Sequence, residues 1–82
     1  MSRYFFDTRD DDVIMRDDLG LEFPDLERVK AQASRSLAEL ALDVLPGSDR
    51  RCLGVDVRDS QDNRVLMTEL TFEARVLIVP FQ

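Results

Sequence analysis

Histidine is absent from this chain, cysteine occurs once, and glycine and proline occur three times each. Each scarcity removes a class of chemistry. Without histidine, neither the cysteine nor a serine has the conventional base partner of nucleophilic catalysis. Cys52 alone cannot form an internal disulfide, which fits a reducing cytoplasm. No glycine-rich loop is present to cradle a phosphate. The longest apolar run, Val76 to Phe81, is far too short to span a bilayer. Met1-Ser2-Arg3-Tyr4 has no signal-peptide character, because it enters a strand-like run at once. These readings place the protein in the cytoplasm, away from the membrane.

What is present describes a globular chain. Of the 82 residues, 44% are hydrophobic and 34% charged, a balance that favours a packed core over disorder. This length makes a single small domain over residues 1–82. A chain of this size buries only about 60% of its unfolded surface, so its core is small. The net charge of −6 argues against direct binding to nucleic acid or an anionic membrane, since neutralising phosphates takes clustered Lys and Arg. Arg50-Arg51 is the only adjacent basic pair, and Asp49 stands beside it.

The strongest pattern is an amphipathic helix from Asp25 to Leu45. Asp25 is placed to cap the first turn, and Glu27 complements the helix dipole. Leu26, Val29, Ala33, Leu37, Leu40, Ala41 and Val44 recur at three- and four-residue steps and predict one core-facing stripe. Pro46-Gly47 ends it. Before the helix, Arg3 to Phe6 reads as a strand, Asp7 to Asp12 as a polar turn region, and Val13 to Met15 as a short returning strand. Leu21 to Phe23 reads as a third short strand or an extended lead-in to the helix. After the helix, Leu53, Val55 and Val57 alternate with polar residues or glycine as a half-buried strand. A turn follows around Asp62-Asn63, and then a long final strand carries Leu66, Leu70 and Phe72 on one parity. The predicted fold is α+β, an antiparallel β-sheet of about four strands with one amphipathic helix packed on one face. The element order is ββ(β)-α-ββ. The face away from the helix must be polar or covered by a partner.

Candidate chemistry is thin. Asp7, Asp10, Asp11, Asp12, Asp17 and Asp18 crowd the N-terminal hairpin, but their spacing lacks the central glycine and terminal glutamate of an EF-hand loop. They read as solvated turns and hairpin ends. Cys52 follows two arginines, whose charge can lower a thiol pKa, but it reads as structural or incidental. Tyr4 and Phe6 fall on one face and Phe5 on the other, which suits core packing better than base stacking. No catalytic residue, metal ligand or cofactor site emerges, and a non-enzymatic protein is expected.

The C-terminal segment is the feature that the helix does not account for. Val76 and Ile78 can continue the core parity, which puts Leu77 and Val79 on the uncovered side, while Pro80 ends the ladder or sits on an edge. Two readings follow. Residues 75–82 form an interface strand in which Leu77, Val79 and Phe81 meet a second copy. Alternatively the segment curls over the end of the helix and buries both sides internally.

Some longer stretches carry a resemblance. Arg3-Tyr4-Phe5-Phe6-Asp7, Arg16-Asp17, Gly20-Leu21-Glu22-Phe23-Pro24-Asp25-Leu26-Glu27 and Val55-Asp56-Val57-Arg58-Asp59 resemble a family of small uncharacterised bacterial proteins, a domain of unknown function common in rhizobia and related alphaproteobacteria. The resemblance covers nearly the whole chain and implies a fold but no activity. The apolar extension after Arg75 departs from its common pattern. Phe23-Pro24-Asp25-Leu26 and the element order are also similar to HicB-like antitoxins, although this chain lacks the DNA-binding segment that such proteins append. The expected role is protein–protein contact, as a homodimer. The alternative is an antitoxin-like or adaptor module whose acidic surface covers a small basic protein partner.

Overall fold

A computed structural model describes residues 1–78 of the chain. The elements run β1 (Ser2–Asp10), β2 (Val13–Met15), β3 (Leu21–Phe23), α1 (Leu26–Val44), β4 (Arg50–Asp59) and β5 (Arg64–Glu73). All strand pairings are antiparallel, and they make one five-stranded sheet ordered β2-β1-β4-β5, with β3 also on β1. The fold is thus α+β, with one helix on one sheet face. Leu21 to Phe23 is a true strand rather than a lead-in.

The alternation of β4 sets the core. Leu53, Val55 and Val57 are fully buried, and so are Val29 and Ala33 of α1. Around that contact pack Tyr4, Phe6, Phe23, Leu37, Val65 and Leu66, and Phe6 meets Phe23 edge-on at 5.7 Å. Two-residue periodicity puts these strand side chains, Val65 excepted, on the helix side. An irregularity opposite Val57 and Arg58 lets Val65 and Leu66, neighbours in sequence, both reach the core. Leu26, the first residue of the predicted stripe, is instead exposed.

The helix starts where its cap dictates. Asp25 has an extended backbone, and its carboxylate accepts the Arg28 N–H at 2.9 Å. Past the helix, Gly47 takes a φ of +88°, which turns the chain towards β4.

One prediction needs correcting. Asp7 to Asp10 is not a turn but the second half of β1, and only Asp11 and Asp12 turn. These charges sit in a strand because β4 supplies their partners. Along the outer edge of β1, β3 pairs Ser2 to Tyr4 and β2 pairs Thr8 to Asp10, leaving a gap between them. Asp17 fills it. One of its carboxylate oxygens accepts the Phe6 N–H at 3.0 Å, and the other accepts the N–H groups of Leu19 and Gly20. The Asp17 N–H in turn donates to Asp7 at 2.9 Å. Gly20 closes this loop at φ +69°, so near β1 that a Cβ would lie 2.8 Å from the Tyr4 carbonyl oxygen.

Candidate interaction surface

The sheet face away from the helix is closed by charge. Register places Asp7 opposite Asp56, a like-charge pair that would be destabilising alone. Each aspartate is bridged diagonally instead. Arg58 Nε donates to Asp7 at 3.0 Å, and Arg9 donates to Asp56 through two nitrogens at 3.3 Å. Arg58 also stacks over the Phe5 ring, 4.7 Å from its centroid, and donates to the Asp17 carbonyl. The four charged side chains are at most 17% exposed. Gly54 makes this possible, since the Arg9 guanidinium lies where a Cβ would be. The hydrogen bond to Asp56 holds the Arg9 pKa above its ordinary value.

The aspartate-rich hairpin is therefore largely spoken for. Asp10 takes a two-nitrogen contact from Arg51 at 2.8 and 3.0 Å, and that bond holds its pKa below the usual carboxylate range. Burial pushes the Asp17 carboxyl up, but its three backbone N–H donors and the charge of Arg58 outweigh this and leave it lowered. Asp11 accepts the Cys52 N–H at 2.9 Å. Asp7, Asp10 and Asp17 are thus ties within the fold rather than solvated ends, whereas Asp11, Asp12 and Asp18 are exposed at the turns as the sequence predicts. Among the described residues, no cluster of three or more His, Cys, Asp or Glu could hold a metal ion. The Cys52 thiol donates to Glu69 at 3.2 Å, and that bond, with burial, pushes its pKa up rather than down.

Exposed apolar side chains stand on β2, where Val13, Ile14 and Met15 are 63%, 66% and 69% exposed, and more fully where the chain leaves β5. β5 stops at Glu73, and the Ala74 N–H donates to the Asp49 carbonyl at 2.8 Å, which fixes where the C-terminal segment departs. Beyond that tie, Val76, Leu77 and Ile78 are 88%, 87% and 80% exposed. They neither continue the core nor curl over the helix, and no strand forms over 74–78 within a single copy. Of the predicted interface residues, Leu77 is thus free to meet a partner, while Val79 and Phe81 lie outside the described residues. Close by, the last turns of α1 and the end of β5 leave an apolar groove of about 660 Å³. Ala41, Leu42, Leu45 and Pro46 line one side, and Leu70 and Phe72 the other. Leu42 stands 75% exposed on its rim. The groove was not foreseen, because its two walls lie far apart in sequence and only the sheet order brings them together.

No helix among the described residues is long and apolar enough to cross a membrane. No curated protein and no solved structure matches the chain. A family of proteins does, over residues 3–71, a match that ends within β5. That match takes in the helix, β2 to β4 and most of β1 and β5, so the chain belongs to the family described as a domain of unknown function (DUF6894).

Proposed function

We propose that this is a non-enzymatic cytoplasmic protein that works through protein–protein contact, as a homodimer joined by its C-terminal segment. The observation that carries this reading is the exposure of Val76, Leu77 and Ile78 in one run. This run is more exposed than Val13 to Met15 on β2, which are 63–69% exposed, and an apolar patch of this kind favours a contact site. Burying such side chains yields about 1.5–3 kcal/mol each. Association costs roughly 4–15 kcal/mol, so a contact that buries the segments of both copies is favoured over one that buries a single segment. The commitment of Asp7, Arg9, Asp56 and Arg58 to one another, and the raised thiol pKa of Cys52, fit a protein without a reactive centre.

Sedimentation of the wild type and of Leu77→Asp over a wide concentration range tests the reading. The wild type is expected to pass from monomer to dimer as concentration rises, and the variant to stay monomeric. A wild type that stays monomeric at its highest soluble concentration would refute it.

A second reading, an antitoxin-like or adaptor module covering a basic partner, draws on the net charge of −6. The internal use of Asp7, Asp10 and Asp17 weakens it, since those carboxylates already hold arginines or backbone N–H groups. Co-purification of a stoichiometric basic protein, undisturbed by Leu77→Asp, would favour this second reading over the first.

A further inference from the structure

We propose that the exposed C-terminal segment of one copy docks in the apolar groove between α1 and β5 of a second copy, reciprocally, so that each chain both gives a segment and receives one. The inference rests on the homodimer reading above and names the surface that reading leaves open. Three observations point to this occupant. The groove and the segment lie at the same end of the molecule, because β5 supplies Leu70 and Phe72 to the one and leads directly into the other. Their chemistry matches, with no charged side chain lining the groove and three successive aliphatic residues in the segment. A second recess, at the start of α1, is bordered by Glu27 and Lys30 and is smaller, about 270 Å³, so it suits an aliphatic segment poorly.

The area also favours reciprocity. Each aliphatic side chain carries on the order of 100 Å² of apolar surface. One docked segment, with the groove it covers, removes roughly 400 Å². Two dockings related by a twofold axis reach about 800 Å², the size of a weak, concentration-dependent contact rather than a permanent one. The segment does not occupy its own groove, since Val76, Leu77 and Ile78 stand clear of the fold.

Cysteine pairing tests the placement. On a Cys52→Ser background, a tagged Leu42→Cys chain is mixed with an untagged chain bearing Leu77→Cys or Ile78→Cys, whose side chains point opposite ways along an extended segment. All three positions are exposed, so the substitutions leave the core intact. Oxidation is expected to give a tagged–untagged disulfide from position 42 to 77 or 78 as the main intermolecular product. Leu42→Asp alone is expected to weaken dimerisation about tenfold or more, as Leu77→Asp does. A dimer that links 77 to 77, or gives neither disulfide, overturns the groove assignment and leaves the homodimer standing. A monomer at every concentration overturns both. A doubly substituted Leu42→Cys/Leu77→Cys chain that closes its own disulfide as a monomer overturns the exchange, by showing that the segment reaches its own groove.

Discussion

Gly54 illustrates how a missing side chain organises charge. The guanidinium of Arg9 lies across it, reaching Asp56 on the same strand and the Thr68 carbonyl on the next. A Cβ at position 54 would collide with that guanidinium and stand 2.8 Å from the Thr68 oxygen. Gly54→Ala is therefore expected to destabilise the fold by about 1–3 kcal/mol, the usual cost of forcing extra atoms into a packed site. Urea denaturation measures it, and an unchanged midpoint would mean that Arg9 can leave at no cost. In the sequence Gly54 is only a gap in the alternation around Leu53 and Val55. Its importance depends on Arg9, 45 positions earlier, lying directly opposite in the register.

At the scale of elements, the most local features are the most predictable. The Asp25 cap, the run of Val29, Ala33 and Leu37 and the alternation of Leu53, Val55 and Val57 are visible in the sequence, because each depends on residues a few positions apart. The sequence pattern makes β1 too short for the opposite reason. Asp7, Arg9 and Asp10 look like turn residues until Arg58, Asp56 and Arg51 arrive from β4. The groove is hidden in the same way, since α1 and β5 share no local pattern. The cap can be tested directly. Asp25→Ala removes the acceptor of the Arg28 N–H and is expected to cost about 1 kcal/mol. Thermal unfolding followed by circular dichroism reads this. Asp25→Asn should keep most of the stability, because asparagine caps as well as aspartate.

For the whole molecule, acid is the expected weakness. Asp10, Asp17 and Asp59 are all held below the usual carboxylate range, by Arg51, by backbone N–H donors and by the Asn63 N–H respectively. Between the folded and unfolded pKa values the unfolded chain binds more protons, so stability rises with pH across that window. The contribution is complete above the unfolded value of about 3.9 and is lost as pH falls through the lower folded values. Denaturant midpoints from pH 7 to pH 2 are expected to hold above pH ~4 and fall below it. Asp17→Asn, which keeps an acceptor but not the titration, should flatten part of that fall. A midpoint insensitive to acid would mean that these carboxylates are as well placed in the unfolded chain.

The order in which the strands are made has a consequence for how the protein comes into being. β4, the strand that joins β1 to β5 and carries Leu53, Val55 and Val57, follows the helix in sequence. Tyr4 must wait for Asp59, and Phe6 for Val57, before either has its β4 partner. Until then the nascent chain holds a hairpin and a helix whose apolar faces have nothing to cover. The β1–β4 pairing that unites the sheet must close a loop of about 50 residues, an entropic toll that slows folding. The fold is completed from its middle outward, and only after most of the chain has left the ribosome.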